Sequence, residues 1–252
     1  MQARIGILNF VLKRSSNGRK KRVGALGVRL SRDPDVTISL NYKDKTEKIQ
    51  LILGCWKLRR LGLLGKITVL KSLIASQVVN ILSPLETNHS AIKDINVMFY
   101  NFLWNDKSDK IKRSIMINDY SEGGLKMIDT ASFNRSLKAT WTKKYLDKEN
   151  SGSWKSFFDS ELDKYGGEVT LTGNLNIKDS RNIIKVSDPF LKENLEIWSE
   201  ANYEENIMSD YHLQSSPLWC NSLQIRVENR PVFFKDWFLK GITNVEYLMD
   251  DS

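Results

Sequence analysis

The sequence predicts a mainly α fold with minor β: a three-helix bundle followed by a mixed helical and extended carboxy-terminal region. Apolar residues recur every three or four positions in three successive segments between residues 43 and 104, which is the period of a helix. Three segments, VGALGVRL (23–30), VTLTGNLNI (169–177) and QIRVENRPVFF (224–234), are extended in character and supply the β part. A hydrophobic fraction of 41% and seven tryptophans are enough to fill a core.

The first elements lie on either side of a turn. KRSSNGRKKR (13–22) is a basic, polar stretch with a turn signal at Asn17-Gly18. A strand is expected over 23–30, and Pro34 then breaks the pattern within SRDPD (31–35). Asp33 and Asp35, which flank this proline, are interpreted as turn carboxylates rather than as a metal-binding pair.

Three helices are expected next. The first carries an apolar stripe with the spacing i, i+3, i+4, i+7, the second carries a longer stripe that Pro84 ends, and the third begins with a cap at residues 88–90. The stripe residues, in chain order, are Ile49, Ile52, Leu53 and Trp56; Ile67, Leu70, Ile74, Val78 and Ile81; and Ile92, Ile95, Phe99, Phe102 and Leu103.

The remainder is less regular. Ile115 and Ile117 alternate along the chain ahead of a turn at Gly123-Gly124, which predicts a hairpin or extended loop over 113–129. A helix follows over about 130–147, and KENSGS (148–153) is typical of a linker. The predicted organisation has four parts: 1–42, a basic segment and a strand; 43–109, the helical bundle; 110–150, a hairpin and connecting helix; and 151–252, an acidic region.

Charge is distributed unevenly along the chain. Residues 1–150 carry 28 Lys+Arg against 13 Asp+Glu, or +15, whereas residues 151–252 carry 10 against 17, or −7. This separation favours a polyanion as partner of the front portion, because a neutral solvated surface needs no such asymmetry.

Several kinds of catalytic site are not supported. Two cysteines that stand far apart and only two histidines provide too few soft ligands for zinc. Neither histidine lies near a G-x-S-x-G turn, so no serine or cysteine triad is indicated. GLLGK (62–66) lacks the glycine spacing and the preceding strand of a phosphate loop. Asp250-Asp251 is interpreted as a solvated terminus, because a two-metal site needs a third carboxylate from another strand. We therefore expect no catalytic residue, no metal and no cofactor.

A basic cluster lies at the junction of the first two predicted helices. Lysine and arginine release counterions from phosphates, and the start of a helix offers free N–H groups, so such a cluster could bind a nucleic-acid backbone without reading bases. The candidate binding residues are Lys57, Arg59, Arg60, Lys66 and Lys71.

The order of several motifs resembles one family. They are ALGVRLSRD (25–33), WKLRRLGLLGKITVLKSL (56–73), FYNFLWN (99–105), KIKR (110–113), EGGLKMID (122–129), PLWCN (217–221) and F-x-K-D-W-x-x-x-G-I (233–242). Their order and spacing are similar to the part of non-LTR (long interspersed element) retrotransposon reverse transcriptases that follows the catalytic palm. The resemblance covers roughly residues 23–250.

The resemblance implies a role for each stretch. ALGV (25–28) would be the last strand of the palm, and 43–104 the three-helix thumb that packs against the minor-groove side of the template–primer hybrid. The parent family consists of RNA-directed DNA polymerases that use magnesium in the palm, but none of the matching motifs carries the palm's aspartates. The expected function is therefore a non-catalytic, thumb-like remnant that binds duplex or RNA–DNA hybrid. A palm-bearing chain is a possible further partner.

An alternative is a helical protein-interaction module with no nucleic-acid role, because a thumb without its palm would expose an apolar face. No apolar run approaches the roughly 20 residues of a membrane helix, so no membrane is expected as a partner. No small-molecule substrate is expected either. The expected location is intracellular, in the nucleus or the cytoplasm.

Overall fold

The fold was obtained as a computed structural model. It describes residues 23–25, 27–31, 33–163, 167, 171, 186–207, 218–219, 226–227, 230–231, 234–243 and 245–248. The chain divides into two compact units, unit 1 (Ala3–Leu137) and unit 2 (Lys138–Ser252). The described residues are mainly helical with minor β, which confirms the predicted fold class. The basic stretch 13–22, Cys220, Asp250 and Asp251 lie outside the described residues.

Regular elements follow one another closely. The strands form two separate antiparallel pairs, β1 with β2 and β3 with β4. In chain order the elements are β1 (Val23–Ala25), β2 (Val28–Leu30), α1 (Pro34–Lys57), α2 (Leu63–Val69), a π-helical turn (Leu70–Ile74), α3 (Ala75–Leu82), α4 (His89–Trp104), α5 (Arg113–Ile117), a 3-10 turn (Tyr120–Glu122), α6 (Thr130–Leu146), α7 (Lys155–Leu162), α8 (Pro189–Ile207), β3 (Arg226–Val227), β4 (Arg230–Pro231), α9 (Lys235–Leu239) and a 3-10 turn (Val245–Leu248).

Unit 1 is built on three helical rods, as the apolar stripes predict. The second rod is a composite helix, Leu63–Leu82, made of α2, the π-helical turn and α3. α1 packs against α3 and α4, and α2 packs against α4. The core between the rods includes the fully buried side chains Ile49, Leu70, Ile74, Ile81, Ile95 and Phe99.

By length and hydropathy alone, the composite helix is the one helix among the described residues that could cross a membrane, contrary to the expectation from sequence. The apolar side chains of this helix contribute to the protein core: the buried residues are Ile67, Leu70, Ile74, Val78 and Ile81.

α1 begins nine residues earlier than residue 43. Pro34 occupies a first-turn position, where its missing N–H costs nothing, and the Asp33 carboxylate accepts hydrogen bonds from the N–H groups of Asp35 and Val36. SRDPD ends the apolar run as predicted, since β2 stops at Leu30, but it also starts α1, which was not predicted. The predicted boundary after residue 42 consequently falls inside α1.

The hairpin β1–β2 is fastened to α1. Gly27 makes the turn with φ +82°, a backbone conformation that suits glycine. The Asn41 side chain is 3% exposed, accepts from the Arg29 N–H at 2.8 Å and donates to the Arg29 carbonyl at 2.7 Å. α1 therefore supplies hydrogen bonds to β2 that a further strand would otherwise supply.

Residues 113–129 were predicted to form a hairpin or an extended loop, and the two segments that would be the strands of a hairpin are not strands. Residues 113–117 form the short helix α5 and residues 124–129 have no regular structure. Their backbones nevertheless pair, since the Met116 carbonyl accepts from the N–H groups of Leu125 (3.1 Å) and Met127 (2.8 Å). The predicted turn at Gly123 is present, with φ +75°.

Unit 2 has its own aromatic core. Trp141 meets Trp154 edge-to-face at 5.3 Å between ring centroids, and Trp154 meets Phe158 at 5.4 Å. Lys138 is fully buried, 3.4 Å from the Glu193 carboxylate and above the Phe190 ring. The division between units falls between residues 137 and 138 within α6, not at the predicted linker.

Candidate nucleic-acid interface

Three of the five predicted binding residues lie together. Lys57 ends α1, and Arg59 and Arg60 belong to the connection 58–62 that leads to α2. All three side chains are exposed. We call this set, Lys57, Arg59 and Arg60, the basic junction. These residues lie together because Leu58 is the C-cap of α1 and only five residues, 58–62, connect α1 to the composite helix.

No acidic residue opposes the basic junction from neighbouring sequence. From residue 48 to residue 85 the chain contains six lysines and arginines and no aspartate or glutamate. This stretch includes the second half of α1 and the whole composite helix. The positive charge of this stretch is therefore not neutralised by acidic residues of the same stretch. An acidic partner for Lys57 comes from elsewhere in the chain.

Arg59 is held by an aromatic ring. Its guanidinium carbon lies 4.3 Å from the centroid of the Trp56 ring, which is itself partly buried against the core. A guanidinium stacked in this way loses rotamer freedom before a ligand arrives, and its N–H donors remain available at the edge. The stacking therefore prepares Arg59 for contact with a phosphate.

Lys66 is not part of the surface, and its prediction as a binding residue is wrong. The side chain is only 5% exposed. Its ammonium group donates to the carbonyls of Phe102 and Leu103, both at 3.0 Å, and to Asn105 Oδ1 at 2.7 Å. Lys66 therefore belongs to the interior of unit 1, where it joins the composite helix to the end of α4.

The role of Lys66 follows from the way α4 ends. The last four carbonyls of a helix have no partner within the helix. The Asn101 carbonyl accepts from the N–H groups of Asn105 and Asp106, and the Trp104 carbonyl accepts from that of Lys107. Lys66 provides for the remaining two, those of Phe102 and Leu103, and its positive charge also suits the negative end of the helix dipole.

Burial lowers the pKa of Lys66 below its ordinary value of 10.5, and the charge of Lys57 lowers the pKa further. The second effect means that Lys57 lies close enough to be felt by the buried ammonium group. Lys57 and Lys66 are therefore electrostatic neighbours, although Lys66 faces inward.

Lys57 has an acidic partner that the local sequence does not reveal. Its ammonium group forms an ion pair with the carboxylate of Asp106, which follows the end of α4. Both groups keep contact with solvent, at 36% and 61% exposure of their side chains. Such an exposed pair is worth only about 0–1 kcal/mol, so Lys57 can change partners at small cost.

The ion pair also brings a second basic segment to this end of unit 1. Asp106 is followed by three exposed lysines, which sequence analysis did not propose as binding residues: Lys107, Lys110 and Lys112. The signal that could have identified them is their density, since the stretch 107–113 also contains Arg113. Arg113 itself is engaged by Asp109 at 2.8 Å and lies over the Tyr100 ring.

A groove runs between α1 and α4 beside the basic junction. Its volume is about 230 Å³, and its walls include Gln50 and Gly54 of α1 and Met98 and Asn101 of α4. The ion pair between Lys57 and Asp106 also lines this groove. Leu53 and Phe102 also line it, so its walls are a mixture of polar and apolar groups.

Lys71 is the least connected of the predicted set. It lies in the π-helical turn and is half-buried. Counting from Leu63, it stands roughly 12 Å along the composite helix from the start of that helix, at 1.5 Å per residue. It can extend the basic junction but does not form part of it.

Within the described residues there is no group of three or more histidine, cysteine, aspartate or glutamate side chains that could hold a metal ion. Cys55 is an exposed, free cysteine. No protein-family model matches the chain.

Proposed function

We propose that unit 1 binds the sugar-phosphate backbone of a nucleic-acid duplex or RNA–DNA hybrid through the basic junction, and that this binding involves no catalysis. The observation that supports the proposal is the exposure of Lys57, Arg59 and Arg60 at one end of a bundle, in a stretch without acidic residues. Lys107, Lys110 and Lys112 extend the positive surface from the end of α4. The proposed origin is the thumb-like part of a retrotransposon reverse transcriptase.

Contacts of this kind are insensitive to base sequence. Lysine and arginine that reach phosphates position a duplex and carry no direct information about its bases. Their contribution to affinity comes largely from counterion release, so affinity falls steeply as salt rises. The proposal therefore implies similar affinity for unrelated duplex sequences and strong dependence on salt.

The triple variant K57A/R59A/R60A is expected to bind hybrid at least about tenfold more weakly than the wild type at low salt, because up to three phosphate contacts are lost. The slope of log affinity against log salt should become shallower by as much as about 2.7, at roughly 0.9 for each contact. Fluorescence anisotropy of a labelled hybrid over a range of salt concentrations measures both quantities.

The matched control is K43A/K48A/K93A. It removes the same charge from exposed lysines of α1 and α4 that lie away from the junction. Equal losses of affinity and slope in the two triple variants would show that general positive charge acts, and would contradict a localised interface.

A second candidate function is a helical protein-interaction module. Leu51 and Leu58 are 72% and 87% exposed and lie seven residues apart, on one face of α1 or at its end. Exposed leucines in such an arrangement favour contact with another apolar surface. Gel filtration separates the two candidates. Nucleic-acid binding predicts an elution volume that changes with hybrid, whereas the module predicts self-association that hybrid does not affect and that L51S/L58S abolishes.

A further inference from the structure

Asp106 is the carboxylate that pairs with Lys57, one of the three residues of the basic junction. It comes from α4, nearly fifty residues further along the chain. This carboxylate therefore lies at the surface for which a polyanion is proposed. It is also 61% exposed, so the position it holds is accessible from solvent.

The backbone fixes Asp106 in that place. Asn105 and Asp106 adopt positive φ angles of 54° and 58°, an uncommon conformation for residues other than glycine and one that asparagine and aspartate tolerate best. The Asp106 N–H donates to the Asn101 carbonyl at 2.8 Å, and the Asn105 side chain accepts from Lys66. The carboxylate thus projects from a well-bonded helix end rather than from a free loop.

We propose that Asp106 is an internal competitor for the phosphate-binding position at Lys57, and that it limits the affinity of the basic junction for nucleic acid. The carboxylate stands where a phosphodiester oxygen would accept from the same ammonium group. Both are singly charged oxygen anions, and the ammonium group of lysine binds either. This inference rests on the proposed function of the basic junction.

The exchange is energetically feasible because the pair is exposed. An incoming phosphate has to replace one solvated contact of Lys57 and does not have to open a buried pair. While Asp106 remains paired with Lys57, this lysine contributes little to counterion release. Arg59, which is stacked on Trp56, would make the first contact and Lys57 would follow.

The D106N variant tests the proposal, because asparagine tolerates the same positive φ and keeps the size of the side chain. Its expected effect is about two- to fivefold tighter binding of a hybrid near physiological salt, the range that an exposed ion pair covers. The salt slope should steepen by up to about 0.9, since one more lysine is free to displace counterions.

The matched control is D94N, which makes the same charge change within α4, the helix that Asp106 follows. Asp94 is exposed and stands twelve residues before Asp106, roughly 18 Å along a helix axis and beyond the screening length at physiological salt. A gain of the same size in D94N and D106N would overturn the proposal and leave the basic junction itself in place.

The double variant K57A/D106N, measured beside K57A and D106N, completes a double-mutant cycle. If Asp106 acts through Lys57, the gain from D106N disappears in the K57A background, and a gain that persists there would overturn the proposal. Absence of binding by both wild type and D106N would overturn this inference together with the proposed function. Binding by D106N with none by the wild type would support it strongly.

Discussion

Replacing Lys66 with methionine is expected to lower the free energy of unfolding of unit 1 by about 2–4 kcal/mol. Methionine keeps an unbranched stem of similar shape but removes all three hydrogen bonds of the ammonium group. The carbonyls of Phe102 and Leu103 then lose their partner, and a buried unpaired acceptor costs about 1–3 kcal/mol. Denaturation by urea, with hydrogen exchange of the α4 amides to report on unit 1, measures the loss.

Lys71→Met is the matched control. It makes the same substitution on the same composite helix at a half-buried position, and a change within about 0.5 kcal/mol is expected there. Losses of equal size in the two variants would contradict the role assigned to Lys66 at the end of α4.

The stability of the wild type relative to Lys66→Met is also expected to depend on pH. The pKa of Lys66 is lower in the folded protein than its ordinary value of 10.5. The unfolded chain therefore binds more protons than the folded chain as pH approaches that value from below, so stability should rise with pH over this range. The difference in unfolding free energy between wild type and Lys66→Met should grow as pH rises toward 10.5. A difference that shrinks over this range would contradict the assigned cause, burial of the charged group.

Gly124→Ala is expected to destabilise unit 1 by about 3 kcal/mol, near the upper end of the range for overpacking. A Cβ atom at this position would lie 2.0 Å from the backbone oxygen of Asn118, which cannot move as a flexible side chain could. The same oxygen accepts from the Lys126 N–H at 2.9 Å, so a shift of Asn118 also weakens this hydrogen bond across the turn. Thermal or urea unfolding measures the loss.

Gly123→Ala serves as the comparison at the adjacent position. A Cβ atom there meets nothing within 4 Å, but the φ angle of +75° makes alanine strained. The expected cost is about 1 kcal/mol, from backbone strain alone. If Gly124→Ala costs no more than Gly123→Ala, the close approach of Asn118 is not a constraint in solution.

The helices could be predicted from sequence because their signals are local. The stripe that begins at Ile49 and the cap at Asn88, whose side chain accepts from the Ala91 N–H at 3.0 Å, were both identified and both confirmed. The start of α1 was missed because a proline in a first turn and a proline in a break look alike in sequence. Asp33 just before Pro34 was the signal that distinguishes them.

The region 113–129 was misread because its alternation is in the wrong phase. The alternation of Ile115 and Ile117 predicted an extended segment, yet these residues are 43% and 37% exposed, while Met116 between them is fully buried. In a helix as short as α5, one turn offers too few positions to separate a period of 2 from a period of 3.6. Tertiary contacts decide the outcome there.

The candidate site was predicted in part. Leu63, Lys66, Ile67 and Leu70 have the spacing of a core-facing stripe, so the sequence did contain a signal that Lys66 points inward. Its acceptors lie 36 to 39 residues away at the end of α4, the partner of Lys57 lies 49 residues away just beyond that end, and no local pattern reveals them. Arg59 and Arg60 were placed correctly because exposure follows from a polar connection between two amphipathic helices.

The central claim is that a nucleic-acid backbone contacts the end of unit 1 at which α1 and α4 finish. Backbone amide chemical shifts followed by NMR during titration with an RNA–DNA hybrid test the claim most directly. The account predicts perturbations concentrated at residues 57–62 and 105–112, lost when salt is raised. Perturbations confined to unit 2, or none at hybrid concentrations that saturate the anisotropy signal, would contradict it.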